Sequence, residues 1–201
     1  MPDHLSGLAG RTASTRSDSK RTSERLIEAL NEWVREHGAP PERLADVAQL
    51  AGVSTATAYR HFASVDDAIR AFVLQLPIRA AELFAESGLA DSDSDRTAAI
   101  DAFAAWNLAW VRACEEHGEL AVHLRSSRGF LERRDEGEPV IAFACAHIEP
   151  LLERLEGDTT MMLFMWNVTS DPREVIDLRR LGWSVERIAD FVTRAVLATP
   201  A

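Results

Sequence analysis

Apolar residues recur every three to four positions along most of the chain, which is the spacing of helices that bury one face. The first predicted helix has five such residues, Leu26, Ile27, Leu30, Trp33 and Val34. Gly38, followed by Pro40 and Pro41, ends it. The pattern therefore predicts one long helix with a single buried face near the start of the chain.

Two short helices and a longer one are predicted after this break. The second helix has Pro41 near its first turn and ends at Gly52 and Val53. Ser54 follows at the position that caps a third helix. A fourth helix opens at residue 64 with the capping-box pattern S-x-x-D, and Pro77 ends or kinks it.

Helices are predicted through the rest of the chain, at about 95–117, 119–131, 138–155, 159–180 and 184–198. Pro172 is a point at which the fourth of these can split. Val, Ile and Thr never alternate with polar residues for long enough to indicate a strand. The predicted fold class is all-α, with a three-helix N-terminal domain joined to a larger helical C-terminal domain.

Composition separates a tail from two domains, at 22–76 and 77–201. Residues 1–21 are rich in Ser, Thr, Gly and Arg and have no apolar period. This composition predicts a mobile tail, or an arm of the kind that enters the minor groove of DNA. The net charge of the chain is −10, but up to Leu76 nine Arg and Lys face ten Asp and Glu. Most of the acidic excess lies beyond that point, so the N-terminal part can still present a basic face to nucleic acid.

The two cysteines, Cys114 and Cys145, are far apart and belong to no CxxC pair. This usage is typical of buried small hydrophobic residues in a reducing compartment. No stretch has the roughly 18 apolar residues of a membrane-spanning helix, and the first residues lack the features of a signal peptide. These observations predict a cytoplasmic protein with no membrane partner.

Residues 44–62, LADVAQLAGVSTATAYRHF, have the pattern of a helix-turn-helix. Ala48 is small enough for a close helix crossing, and Gly52 tolerates a left-handed turn. Ser54 caps the following helix, whose Ala58 and Phe62 are expected to face inward. The outward positions carry groups suited to phosphate oxygens and base edges, namely Thr55, Thr57, Tyr59, Arg60 and His61.

From Ser23 to Val73 the chain resembles the N-terminal domain of TetR-family transcriptional regulators, through SERLIEALNEWVREHG, VAQLAGVSTATAYRHF and SVDDAIRAFV. The resemblance implies a homodimer on double-stranded operator DNA, and it favours a repressor although an activator would have the same features. It assigns DNA contacts to Ser54, Thr55, Thr57, Tyr59, Arg60 and His61. Two departures are notable: Arg43 replaces a usual Thr or Ser and can still bind phosphate, whereas Val65 replaces a phosphate-binding Lys.

Aromatic and methionine side chains are concentrated in the C-terminal helices, where the resemblance implies a ligand cavity. Such side chains can line an apolar pocket, although the same stripes also suit ordinary core. The candidate ligand-binding residues are Phe103, Trp106, Trp110, Phe130, Met162 and Trp166. The expected effector is a small hydrophobic molecule that releases the operator, oriented by polar groups such as Asn107, His123, Asn167 or Thr169.

The terminal helix carries an apolar stripe that includes Ile188, Phe191, Val192 and Ala195. A monomer would need another element to cover this stripe. Two subunits that pack their last two helices into a four-helix bundle would cover it by symmetry, so these residues are the predicted dimer interface.

No catalytic, metal or cofactor motif is found in the sequence. His117 and His123 are six residues apart, which is not a same-face helical spacing, and there is no P-loop, nucleophile elbow or G-x-G-x-x-G. We expect no metal, no cofactor and no enzymatic activity. Two alternatives stay open: a small-molecule-binding helical protein that has lost specific operator binding, and an enzyme built on the helical body.

Overall fold

The computed structural model describes residues 6–89, 95–123 and 128–199. In these ranges it is built of α-helices and contains no strand, which confirms the predicted all-α class. The helices are α1 (Ser6–His37), α2 (Leu44–Leu50), α3 (Thr55–His61), α4 (Val65–Val73), α5 (Gln75–Glu86), α6 (Arg96–Ala121), α7 (Phe130–Asp135), α8 (Pro139–Glu153), α9 (Thr159–Ser170), α10 (Pro172–Arg180) and α11 (Val185–Leu197).

Helix α1 begins at Ser6, inside the segment for which the composition predicts a tail, so the predicted start near residue 22 is too late. The described side chains before Leu26 contribute no buried face. Two exposed ion pairs at helical spacing, Asp18 with Arg21 and Lys20 with Glu24, support the helix in this part.

Two helices in the middle of the chain also differ from the prediction. α6 continues through residue 118 to Ala121, and α7 covers Phe130–Asp135, so the predicted helix at 119–131 is wrong. A glycine inside a helix costs only about 1 kcal/mol, which the burial of Leu120 outweighs. α5 has no counterpart among the predicted helices, because Pro77 was expected to end or kink the helix before it. Pro77 instead lies in the first turn of α5, where a missing N–H is tolerated.

The predicted split at Pro172 is confirmed. Asp171 lies between α9 and α10, and its carboxylate accepts the backbone N–H of Arg173 at 2.9 Å. Pro172 occupies the first position of α10, where its fixed φ suits a helix start. The chain therefore turns at a capped and proline-led boundary.

The chain forms two compact units, Met1–Ala71 and Phe72–Ala201, which divide five residues before the predicted boundary. In the first unit, α1, α2 and α3 pack around buried Leu26, Leu30, Val47 and Ala58. In the second unit, α6 is central and packs against α5, α8, α9, α10 and α11. Phe103 and Trp106 of α6 are fully buried at the middle of this second core.

Candidate DNA-binding surface and ligand cavity

Gly52 forms the turn between α2 and α3, with a left-handed φ of +65°. Its N–H donates to the carbonyl of Gln49 at 3.1 Å, and a Cβ at this position would lie 3.2 Å from Arg25 Nη2. That Arg25 nitrogen donates to the carbonyl of Ala51 at 2.5 Å. The side chain of Arg25 therefore ties α1 to the turn and leaves little space for any residue larger than glycine.

Ser54 caps α3, as the sequence predicts. Its hydroxyl oxygen accepts the N–H of Thr57 at 3.1 Å and lies 2.8 Å from the Thr57 hydroxyl. Ala58 and Phe62 are buried, which confirms their inward orientation. The cap and these two contacts fix the rotation of α3, and with it the face that the helix exposes.

The exposed face of α3 carries Thr55, Tyr59 and Arg60, and Tyr59 is 53% exposed. Arg60 has no carboxylate partner in the part of the chain that the structure describes, so its positive charge is free for a ligand. Thr57 and His61 are half-buried at the side of the helix. The geometry thus brings a phenol, a hydroxyl and an unpaired guanidinium together on one short surface.

Arg43, in contrast, is engaged within its own chain. Its Nε and Nη2 donate to the Asp46 carboxylate at 3.2 and 2.7 Å. These hydrogen bonds lower the pKa of Asp46. A phosphate would have to displace Asp46 to reach Arg43, so the structure makes this residue a weaker candidate contact than Arg60.

The second unit contains a cavity of about 140 Å³. Its apolar wall includes the rings of Trp110, Phe130 and Trp166 together with Val73 and Ile141. Polar side chains complete the lining, from α7, α9 and α10 and from the residues that precede α8 and α10, namely Arg133, Glu138, Asn167, Ser170, Asp171 and Arg173.

Three of the six predicted ligand-binding residues line this cavity, and three do not. Trp110, Phe130 and Trp166 are in the lining. Phe103, Trp106 and Met162 are buried in the core instead, at 0%, 0% and 3% exposure, and this corrects the expectation for them. Trp106 is covered by Phe84 in an edge-to-face contact and by the stacked ring of His147, so it has no free surface.

The charged residues of the lining form two internal pairs that the sequence analysis missed. Arg133 donates to Glu138 at 2.5 and 2.6 Å, and Arg173 donates to Asp171 at 2.9 and 2.6 Å. In both pairs the two residues are close in sequence. Because Arg residues close to carboxylates are common on helix surfaces, this pattern did not indicate a cavity. The wall is therefore electrically balanced.

Of the four polar residues expected to orient a ligand, Asn167 lines the cavity. Asn107 instead belongs to a buried hydrogen-bond chain: the indole N–H of Trp166 donates to Asn107 Oδ1 at 3.0 Å, and Asn107 Nδ2 donates to Thr193 Oγ1 at 2.9 Å. The hydroxyl of Thr193 donates in turn to the Ala189 carbonyl at 2.8 Å. This chain joins α9, α6 and α11 in the core.

Two of the four predicted dimer residues are buried within the chain itself. Ile188 and Val192 are 0% exposed and belong to the core of the second unit, so they have no surface to offer a partner subunit. Phe191 is 38% exposed and Ala195 is half-buried. The stripe on α11 is thus mainly the face that packs on the neighbouring helices α6 and α9.

A different apolar surface lies on α9. Met161, Phe164 and Val168 are 46%, 41% and 46% exposed, and their spacing places them on one face of the helix. Large apolar side chains in a row on a surface mark a contact site more often than isolated ones do. α9 therefore adds an exposed apolar face that the sequence analysis did not separate from the core.

Both cysteines are free and buried, which confirms the predicted burial. Burial raises the pKa of the Cys145 thiol to about 12. Among the described residues, no group of three His, Cys, Asp or Glu side chains is arranged to hold a metal ion. None of the described helices is long and apolar enough to cross a membrane.

Comparison with known proteins yields a match in structure but not in sequence. No protein-family model and no curated protein matches the chain significantly. Among solved structures, the fatty acid degradation regulator FadR from Bacillus halodurans is similar, with a TM-score of 0.66 and 18% sequence identity. The alignment covers 88% of this chain and 95% of that one. The likeness shows that the two chains share a helical fold over nearly their whole length.

Proposed function

We propose that the chain is a ligand-responsive DNA-binding transcriptional regulator, a repressor that a small hydrophobic effector releases from its operator. The observation that carries this proposal is the exposed face of α3. A capped helix after a glycine turn presents Thr55, Tyr59 and an unpaired Arg60, which is what a recognition helix requires in the major groove. The fold shared with a regulator supports the proposal without deciding it.

Arg60→Ala and Tyr59→Ala test the orientation of α3. Each is expected to weaken binding to the DNA upstream of the protein's own gene by roughly 5- to 150-fold, the range for losing one base contact. The matched control is Arg35→Ala, which removes the same charge from an exposed position in the last turn of α1. If Arg60→Ala and Arg35→Ala lowered the DNA affinity equally in a titration at fixed salt, α3 would not be the helix that recognises bases.

We infer that two copies associate through α9 and α11, because α9 exposes Met161, Phe164 and Val168 and α11 exposes Phe191. A dimer also allows two copies of α3 to enter successive major grooves, about 34–36 Å apart. Phe164→Glu with Phe191→Glu is expected to give a folded monomer in sedimentation. Leu50→Glu, at another exposed apolar position, is the control that stays dimeric, and a dimeric double variant would place the interface elsewhere.

The effector is proposed to act through α4. Val73, the last residue of α4, lines the cavity, and the same helix begins at Val65 directly after the helix-turn-helix. A ligand that moves Val73 acts on the helix that follows the DNA-binding elements in the chain. Linkage requires that operator DNA lowers the effector affinity by the same factor by which the effector lowers operator affinity, typically 5- to 150-fold. Effector affinities that are identical with and without saturating operator would contradict induction.

A second candidate is a ligand-binding helical protein that has lost specific operator binding. Two observations favour it, because both reduce the number of cations available to phosphates. Arg43 is paired with Asp46 within the chain, and half-buried Val65 stands where the TetR family, which the sequence resembles, usually has a phosphate-binding Lys. Ligand binding without any preference for upstream DNA over excess competitor would support this candidate against the first.

A further inference from the structure

The cavity in the second unit is small. At about 140 Å³ it is close to a cavity of roughly 150 Å³ that holds benzene, and well below the roughly 300–1,000 Å³ of sites for larger ligands. Trp110, Phe130 and Trp166 provide aromatic surface around it. The volume and the walls together suit a molecule with a single aromatic ring.

Two polar groups in the lining have no partner within the described chain. Ser170 is 2% exposed, and its hydroxyl makes no hydrogen bond to any described residue. The side-chain amide of Asn167 likewise makes none. The two residues are three positions apart on α9 and so lie on the same side of that helix. Since both residues line the cavity, their polar groups are available to a molecule bound there.

The other polar groups of the lining are already engaged. The indole N–H of Trp110 donates to the Ser170 carbonyl at 2.8 Å, and that of Trp166 donates to Asn107. Arg133 and Arg173 each hold a carboxylate of the chain in two hydrogen bonds. An anionic ligand would therefore meet two carboxylates as well as two guanidiniums, with no net positive charge to offset the loss of its hydration.

We propose that this cavity binds an uncharged, single-ring aromatic molecule with a carbonyl, amide or hydroxyl group, and that it rejects a carboxylate of the same shape. The ring lies among Trp110, Phe130 and Trp166, and the polar group exchanges hydrogen bonds with Asn167 and Ser170. The inference rests on the proposed function in taking the cavity as the effector site.

Three ring compounds of nearly equal shape test this selectivity: benzamide, benzoate and α-methylstyrene. At about pH 7.5 benzoate is ionised. Calorimetric titration of the full chain is expected to give at least tenfold tighter binding of benzamide than of benzoate. Benzamide should also bind more tightly than α-methylstyrene, which has no hydrogen-bonding group.

Variants of the two polar residues locate the contact. Asn167→Leu and Ser170→Ala are each expected to weaken benzamide binding about 2- to 12-fold, the usual range for one hydrogen bond, without weakening α-methylstyrene binding. Thr169→Val is the matched control, because this hydroxyl lies on the same helix, donates to the Met165 carbonyl and is not in the lining.

Three results would overturn the inference: benzoate binding as tightly as benzamide, none of the three compounds binding, or equal losses for benzamide and α-methylstyrene in both variants. The assay contains no DNA, so its outcome is separate from that of the operator titration. A protein that binds benzamide selectively but no operator would refute the proposed function and leave the ligand class standing.

Discussion

Removing the side-chain amide of Asn107 is expected to destabilise the C-terminal unit by about 2–3 kcal/mol. Asn107 is 1% exposed and accepts the indole N–H of Trp166, itself 2% exposed. In Asn107→Ala this N–H keeps neither its protein partner nor access to water, which costs about 1–3 kcal/mol. Thr193 retains its bond to the Ala189 carbonyl and loses only an accepted bond, about 0.5–1.5 kcal/mol.

The source of this loss can be isolated with a second substitution. Trp166→Phe removes the N–H, so that Asn107→Ala in that background no longer leaves a buried donor without a partner. The double-mutant cycle is expected to give a coupling of about 1–2 kcal/mol, measured by denaturant unfolding at one protein concentration. In a thermal scan the single variant should melt roughly 4–12 °C lower.

The matched control for this cycle pairs Asn107→Ala with Trp183→Phe. Trp183 is half-buried and packs edge-to-face on Phe191, and it makes no hydrogen bond to Asn107. These two substitutions should add within about 0.5 kcal/mol. A coupling below that value for Asn107 and Trp166 would show that their hydrogen bond contributes nothing and that the loss is one of packing.

Three further predictions follow from the described geometry. Gly52→Ala should destabilise the N-terminal unit by about 1–2 kcal/mol through its φ of +65°, and unchanged unfolding would contradict the strain. Cys145, buried and with its thiol pKa raised to about 12, should react with an aromatic disulfide reagent at about pH 8 only after unfolding; rapid reaction of the native protein would disprove its burial. Burial lowers the pKa of His117 below its usual 6.5. As the pH falls, His117 therefore binds a proton in the unfolded chain before it does so in the folded chain, and the free energy of unfolding decreases below about pH 6.5. His117→Gln should reduce that slope in unfolding measured from about pH 7.5 to 5.5, and an unaltered slope would assign it to other groups.

The helix-turn-helix could be predicted because its determinants are local. Gly52 specifies the turn, Ser54 caps the next helix, and the four-residue spacing of Ala58 and Phe62 fixes the buried side. Each of these features acts within a few residues of chain. The sequence therefore contained nearly everything needed to orient α3.

The cavity lining could not be predicted in the same way. Trp106 and Trp110 lie four residues apart on α6, so periodicity places them on one face. Which of them lines the cavity depends on Phe84 and His147, which come from other helices and cover Trp106. Pattern alone identifies an apolar face but not the element that packs on it.

The same limit explains why two of the four residues predicted for the dimer interface are buried within the chain itself. Ile188 and Val192 form a stripe on α11 whose periodicity is real, but the chain's own core covers it. On α9, Phe164 belongs to the apolar run 161–166, in which the buried pair Met162 and Leu163 lies between exposed Met161 and Phe164. A run that is apolar on all sides has no period from which its exposed positions could be read.

The separation of structural and exposed residues along α3 also determines which positions of this helix can change during evolution. Ser54, Ala58 and Phe62 hold the helix in place, whereas Thr55, Ala56, Tyr59 and Arg60 are exposed. Substitutions at such exposed positions usually alter the folding free energy by no more than about 0.5 kcal/mol. The exposed positions of α3 can therefore change one at a time, while every intermediate still folds.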